Sequence, residues 1–273
     1  MSERNPKLLF DPMKHPEWIP PQTAIWYTNL ALETGGYKYP WKSEFEEPRA
    51  EMIFANKISS YLSNSSRVLD VGCGHGEFTT AFAHKVKEVI GIDLIEGFIS
   101  SAKKRNTNDS INFIVVDADQ KLPFPDDHFD VVYTKKGPWL YHKGIDEGHR
   151  VIKSGGIAMG LYHGGTDGGL RKLFPGLYTP FRDDHVEIIK IECERKLFES
   201  SLEKVEIQII EEVEYLSSPE DVLIKKCFGQ NEKLKEIVWR ECLNDVEEIF
   251  YKNATPKGLK VINYHSLMIG KAI

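Results

Sequence analysis

The sequence is poor in the features that mark metal-binding and secreted proteins. Its 273 residues include four cysteines, and no two of them form a C-x-x-C pair. That pattern argues against a cysteine-based zinc site, and four scattered thiols do not make a disulfide framework. We therefore predict no bound metal and a cytoplasmic location in a reducing compartment.

Long apolar runs and a basic charge excess are also missing. No stretch approaches the ~20 apolar residues of a membrane-spanning helix, and the N-terminus has no signal-peptide core. The formal net charge is −6, whereas proteins that bind nucleic acid through its phosphates carry a basic stripe. We expect no membrane anchor and no nucleic acid as main partner. The sequence gives no indication of the oligomeric state.

One glycine is missing from a dinucleotide fingerprint within Val68–Phe78. There, an apolar strand pattern ends in a loop and a helical pattern follows at once. The loop carries three glycines at alternate positions, Gly72, Gly74 and Gly76. With Gly72 and Gly74 as its first two glycines, the fingerprint G-x-G-x-x-G needs its third glycine at the position where Glu77 stands. Asp70 and Glu77 would repel a pyrophosphate and attract a cationic ligand, although an acid in the first turn of a helix also offsets the helix dipole.

Val68–Phe78 resembles motif I of the class I S-adenosylmethionine-dependent methyltransferases. The resemblance covers about residues 66–163, including Leu122–Asp130, which is similar to an "LPF…FD" segment, and Lys153–Gly156, which is similar to an "L-K-P-G-G" turn. It hardly reaches the first 47 residues. The resemblance implies S-adenosylmethionine as the cofactor, whose sulfonium and ammonium charges suit the acids around the loop.

Two further strand ends carry candidate cofactor contacts. Asp93 lies 17 residues after Gly76, close to the ~20-residue spacing at which an acid accepts hydrogen bonds from ribose hydroxyls. With Leu94 it resembles the family's motif II. The resemblance also implies that Asp117 and Ala118 contact adenine. The alternatives are a solvated strand end for Asp93 and a loop cap for Asp117. The predicted cofactor-binding residues are Asp70, Gly72, Cys73, Gly74, Gly76, Asp93, Leu94, Asp117, Ala118 and Lys135.

The apolar pattern predicts an α/β fold with a doubly wound, Rossmann-like sheet. Seven strands are expected, with a helical insertion at about 219–251 before the last one, and the resemblance implies that this last strand is antiparallel. The predicted strands are 67–71, 88–93, 111–116, 129–134, 157–162, 204–215 and 259–271.

The first 47 residues differ from the rest in their many prolines and aromatics. They are too apolar for a disordered tail, and a helix is predicted over 22–33, ending at Gly35-Gly36. We predict an N-terminal arm or lid at 1–47 and a methyltransferase domain at 48–273. The arm either covers an edge of the sheet or closes over a substrate pocket, and both alternatives stay open.

The sequence indicates less about the methyl acceptor than about the cofactor. Lys135–Trp139 lacks the Asn/Asp-Pro-Pro-aromatic motif of amino-methylating DNA enzymes and the cysteine of carbon-5 pyrimidine enzymes. His163 is the candidate general base because imidazole titrates near neutrality, the alternative being a packing histidine. The predicted function is an enzyme that transfers a methyl group to a small molecule by in-line displacement. An rRNA or tRNA methyltransferase and a non-catalytic S-adenosylmethionine-binding protein remain alternatives.

Overall fold

The computed structural model describes residues 7–34, 39–142, 147–167 and 170–273. The predicted glycine break at Gly35-Gly36 lies outside them. The helices are α1 (Ala24–Thr34), α2 (Ala50–Ser60), α3 (Glu96–Arg105), α4 (Glu147–Val151), α5 (Leu170–Leu173), α6 (His185–Glu199), α7 (Pro219–Lys226) and α8 (Glu232–Asn253). The strands are β1 (Ser43–Phe45), β2 (Arg67–Val71), β3 (Glu88–Asp93), β4 (Ile111–Val115), β5 (Phe129–Lys135), β6 (Ile152–Asp167), β7 (Glu203–Leu216) and β8 (Leu259–Lys271). None of the described helices has the length and apolar character needed to cross a bilayer.

The strands form one sheet in the order β1-β7-β8-β6-β5-β2-β3-β4. Strands β2 to β6 pair in parallel. Gly156 is bonded to Ala272 and Thr166 to Asn263, so β8 runs antiparallel to β6. The predicted fold class is confirmed, and β1 adds an eighth strand that sequence patterning missed.

The segment after the glycine loop differs from the predicted α-helix. Thr79–Lys85 is a 3₁₀ helix, and the amide of Ala81 bonds the carbonyl of Phe78 three residues back. The hydroxyl of Thr79 points inward to Asp70 at 2.7 Å. A tertiary hydrogen bond at the start of the segment therefore accompanies the tighter turn.

The chain forms two compact units. The larger unit comprises Pro48–Gly164, Val186–Ile210 and His265–Ile273. Its core lies on both faces of the parallel strands, because alternate side chains such as Val68 and Leu69 enter different clusters. The strands are buried on both sides, as expected for parallel strands.

The smaller unit comprises Met1–Glu47, Gly165–His185 and Glu211–Tyr264. Helices α7 and α8 begin at the N-caps Ser218 and Asn231, whose side chains accept hydrogen bonds from backbone amides one turn on. Their buried faces join a third apolar cluster that also contains Leu9.

The N-terminal arm packs within the smaller unit. β1 pairs antiparallel with the end of β7 and forms the edge of the sheet. The indole nitrogen of Trp26 donates to the carbonyl of Phe228 at 2.8 Å, and Gln230 exchanges two hydrogen bonds with the backbone of Ile19. These contacts place the arm on an edge and on the α7–α8 segment. The division into an arm at 1–47 and a domain at 48–273 stays a prediction.

Candidate functional site

The candidate site lies at the carboxyl edge of the parallel strands. Strand register aligns Asp70 with Tyr133, Asp93 with Val115 and Lys135 with Leu161. Parallel strands end at the same edge, which is where α/β sheets bind ligands. The residues predicted at strand ends therefore share one edge: Asp70, Asp93, Asp117, Lys135 and His163.

The three loop glycines all adopt positive φ, with values of 73°, 56° and 79° for Gly72, Gly74 and Gly76. At Gly76 a Cβ would lie 2.5 Å from the ring of Phe113, so glycine is required there for packing. At Gly74 nothing lies within 4 Å of a Cβ position. The backbone at Gly74 is therefore open to a ligand, which is the second reason for a glycine in such a loop.

Asp93 ties β3 to the glycine loop. One of its carboxylate oxygens accepts the amide hydrogen of Gly74 at 2.9 Å, and the other accepts that of Ile95 at 2.9 Å. Burial raises the pKa of Asp93, and these backbone hydrogen bonds oppose the shift. Each oxygen keeps a second lone pair, so the carboxylate can also accept from a ligand hydroxyl.

Asp70 is a buried carboxylate, with 2% of its surface exposed. Its Oδ2 accepts from the hydroxyls of Thr79 at 2.7 Å and Tyr133 at 2.9 Å. Its Oδ1 is buried and has no hydrogen-bond partner among the described residues. Burial raises the pKa of Asp70 to about 6, against the opposing effect of the two hydroxyls. An unpartnered buried carboxylate oxygen is costly and calls for a donor or a cation.

Sequence reasoning missed the hydroxyls that hold this edge together. Thr79 and Tyr133 orient Asp70. Thr134 accepts the amide hydrogen of Gly137 at 3.0 Å and donates to the carbonyl of Val71 at 2.8 Å. The Tyr133–Asp70 and Thr134–Val71 contacts join positions 63 residues apart, and no local sequence pattern predicts them.

The remaining predicted contacts flank the glycine loop. The amide of Val116 bonds the carbonyl of Asp93, which brings half-buried Asp117 and Ala118 beside the end of β3. Asp117 also accepts from the amide of Asp119 at 3.0 Å, the loop-capping alternative. Leu94 is exposed. Of the loop residues between the glycines, Cys73 is half-buried, and burial raises its pKa well above that of a reactive thiol.

Lys135 and His163 lie at the same edge on neighbouring strands. The ammonium of Lys135 is 3.1 Å from Glu51 and 4.6 Å from the centre of the Phe78 ring. His163 is exposed, two positions beyond Leu161, and its ring centre lies 5.3 Å from that of buried His265. The predicted acid Glu77 points to the surface instead, where it contacts His75 at 3.1 Å.

The charges of this edge favour a cationic ligand over a pyrophosphate. Two partly or fully buried carboxylates, Asp70 and Asp93, flank open backbone at Gly74, and an anion there would be repelled. The sequence profile of the family described as "Methyltransferase domain" matches residues 69–160, the stretch that builds this edge.

Residues 69–160 thus match a methyltransferase domain, which agrees with the resemblance to the class I S-adenosylmethionine-dependent methyltransferases. The methyltransferase domain is 36% identical over 126 residues to the fatty-acid O-methyltransferase of Mycolicibacterium smegmatis, covering 41% of this chain and 46% of that protein. It is 32% identical over 140 residues to the ubiquinone/menaquinone biosynthesis C-methyltransferase UbiE of Pseudomonas fluorescens, covering 48% of this chain and 50% of that protein. The chain thus spans about half the length of these curated relatives.

A solved structure of a functionally unknown protein from Deinococcus radiodurans R1 is similar over most of the chain. The TM-score is 0.63 at 16% identity, with 90% of this chain and 99% of that one covered. At this identity the likeness shows the fold alone.

The cofactor of the methyltransferase domain is S-adenosylmethionine, and the residues present fit it. The unpartnered oxygen of Asp70 supplies an acceptor for a positively charged group. The open space at Gly74 lets a ligand approach the backbone. The roles of the individual site residues stay predictions.

Cofactor affinity is expected to fall as the pH falls through 6. The folded pKa of Asp70 is about 6, above the ~3.9 of an unfolded chain. Protonation therefore stabilises the unliganded fold below pH 6, and this contribution is lost as the pH rises through 6. A bound ammonium favours the ionised carboxylate, so the Kd for S-adenosylhomocysteine should rise by up to about tenfold per pH unit below 6.

Calorimetric titrations from about pH 7.5 to 5 measure this dependence. The pKa of Asp93 is raised in the same direction. The variant Asp70→Asn distinguishes the effect of Asp70 on the pH profile from that of Asp93. This variant keeps the shape of the side chain but carries no charge, and it should bind weakly with a flatter pH profile. A wild-type profile as flat as that of Asp70→Asn would contradict the assignment.

Proposed function

We propose that this protein transfers a methyl group from S-adenosylmethionine to a small-molecule acceptor by in-line displacement. The observation that carries the proposal is the buried Oδ1 of Asp70, which has no hydrogen-bond partner among the described residues, together with the open backbone at Gly74 in the same loop region. A carboxylate in that position is stabilised when a cationic ligand binds.

The chain's own residues would bind and orient the cofactor, which supplies an electrophilic methyl group. Asp70 faces the positive charge, Asp93 holds the glycine loop and accepts from the ribose, and Asp117 with Ala118 contacts adenine. Methyl transfer needs the acceptor atom, the methyl carbon and the sulfur in line and water excluded, so rigid placement of the loop is the main contribution.

His163 is the proposed general base. It lies at the carboxyl edge with an exposed ring, so it can exchange a proton with solvent. A neutral imidazole accepts a proton from a hydroxyl or acid acceptor near neutral pH. Its neighbour His265 is 2% exposed and limits how the His163 ring can be placed.

The small size of the acceptor is supported by charge and by the relatives. The net charge of −6 disfavours binding to a phosphate backbone. The two curated relatives are named for a fatty acid and for quinone biosynthesis. These names concern those proteins, and they guide the choice of acceptors to test.

Calorimetry and a transfer assay test the proposal together. We expect S-adenosylhomocysteine to bind with a Kd in the micromolar range, about −8 kcal/mol, and NAD not to bind. Methyl-labelled cofactor should label lipophilic acids or quinols and not RNA. NAD binding, or no binding of either methionine derivative, would overturn the cofactor assignment. Labelled RNA would favour an RNA methyltransferase, and binding without labelling a non-catalytic protein.

A further inference from the structure

Two consecutive lysines converge on one glutamate at the carboxyl edge. The ammonium of Lys135 lies 3.1 Å from one carboxylate oxygen of Glu51, and that of Lys136 lies 3.8 Å from the other. Glu51 is in the first turn of α2. Neighbouring side chains of a strand normally point to opposite faces, so this convergence needs a special backbone.

The backbone of Lys136 supplies that geometry. Its φ is +63°, a left-handed conformation that lysine rarely adopts. The amide of Lys136 donates to the carbonyl of Leu161 at 2.7 Å. The next residue, Gly137, is packed so closely that a Cβ would lie 2.6 Å from the carbonyl oxygen of Val71. The turn therefore brings two like charges together and holds them in place, and strain of this kind is found where function requires it.

The field at Glu51 is strongly positive. Burial alone would raise the pKa of Glu51, but the charges of Lys135, Lys136 and Arg49 outweigh it and lower that pKa. The glutamate shows that a carboxylate fits between the two ammonium groups. Their side chains are 25% and 17% exposed, so a ligand can reach them.

A second carboxylate, that of Asp70, also interacts electrostatically with Lys135. Burial raises the pKa of Asp70 to about 6, and the positive charge of Lys135 opposes that shift. The Oδ1 of Asp70 has no partner among the described residues. A carboxylate beside two ammonium groups is complementary to a zwitterion. A zwitterion is what the amino-acid end of the cofactor presents, whereas a simple acid would be repelled by Asp70.

We infer that Lys135 and Lys136 bind the carboxylate of the cofactor's amino-acid end in the place that Glu51 takes in this structure. The inference rests on the proposed function, and it adds that Glu51 and the carboxylate of the cofactor compete for the two lysines. The glutamate must give up at least one lysine when the ligand binds. Removing its charge should then strengthen binding, and removing a lysine should weaken it.

The test compares S-adenosylhomocysteine with 5′-methylthioadenosine, which lacks the amino-acid end, by calorimetry on the full chain. For Lys136→Met we expect the Kd of S-adenosylhomocysteine to rise about tenfold, and for Glu51→Gln to fall about threefold. The Kd of 5′-methylthioadenosine should stay unchanged in both. The matched control is Lys153→Met, because Lys153 pairs with Asp130 at 2.6 Å near the opposite end of β5.

The outcomes separate this inference from the proposed function. If wild-type protein binds neither ligand, the proposed function fails. If it binds both and Lys136→Met changes neither Kd, or changes both equally, the carboxylate assignment is overturned. Weaker binding of S-adenosylhomocysteine by Glu51→Gln would overturn the competition, since Glu51 would then be holding the lysines in place. The carboxylate assignment would also be overturned if Lys136→Met lost affinity for decanoate while its Kd for S-adenosylhomocysteine stayed unchanged. The lysines would then bind an acidic methyl acceptor.

Discussion

Gly74→Ala is expected to leave the protein folded and to abolish cofactor binding, whereas Gly76→Ala is expected to destabilise the fold itself. Both residues have positive φ, 56° and 79°, so each alanine costs about 1–2 kcal/mol in backbone conformation. The difference lies in the space around them. A methyl group at Gly76 meets the Phe113 ring at 2.5 Å and Ala102 at 3.0 Å, while one at Gly74 meets nothing within 4 Å.

The two variants therefore separate a packing glycine from a ligand-facing one. Gly76→Ala adds about 1–3 kcal/mol of overpacking, for a total loss of about 2–5 kcal/mol in the free energy of unfolding. Gly74→Ala should raise the Kd of S-adenosylhomocysteine by more than about a hundredfold, or 2.7 kcal/mol. Denaturant unfolding and calorimetry measure the two effects. Normal cofactor binding by Gly74→Ala would show that the open space at this glycine faces only solvent.

Glu214→Leu is expected to cost about 3–5 kcal/mol of stability, because it leaves a buried ammonium without its carboxylate. Glu214 is fully buried, and its Oε2 lies 2.6 Å from the ammonium of Lys225, which is 11% exposed. The carboxylate also accepts from the indole of Trp41 and the amide of Asn263, both at 2.7 Å. Burial alone would raise the pKa of Glu214, but Lys225, Asn263 and Trp41 together outweigh burial and lower it.

A double variant and a surface control make this measurement specific. Glu214→Leu combined with Lys225→Met should recover part of the loss, since both charges of this pair are removed, while Trp41 and Asn263 still lack their acceptor. Asp184→Ala removes the partner of Arg182 in an exposed pair with 51% and 77% of the side chains accessible, and should cost less than about 1 kcal/mol. Denaturant midpoints of the wild type and these three variants provide the comparison. Equal losses for Glu214→Leu and Asp184→Ala would show that the buried pair is not a stability determinant.

The contacts of Glu214 also show what the sequence alone did not predict about the N-terminal arm. The alternatives for the arm were an edge cover and a lid. Trp41 belongs to the arm, and its indole bonds Glu214 of β7 while its ring lies 4.6 Å from the ammonium of Lys225. No local pattern links residue 41 to residues 214 and 225, so the sequence left the arm's partner unknown. How far residues 48–273 fold without the arm stays a prediction.

Local sequence patterns were enough to predict most of the strands and the position of the glycine loop. The predicted bounds of β2, β3 and β8 match those observed, because apolar alternation, turn residues and short connections are encoded over a few residues. The prediction of β6 was too short. The strand continues through Gly164 and Gly165 to Asp167, where Thr166 bonds Asn263 of β8 at 2.8 Å. Glycines that are typical of a loop are held in a strand by a partner about 100 residues away.

The sequence by itself determined the α/β fold, the three loop glycines and the acids at the strand ends, because strand period and turn chemistry are local properties. Tertiary structure alone decided which of those groups meet. Thr79 and Tyr133 leave one oxygen of Asp70 without a partner. The left-handed turn at Lys136 directs two lysines to one glutamate, and β1 pairs with β7. These arrangements depend on contacts between segments far apart in the chain, and on the burial that only the assembled sheet creates.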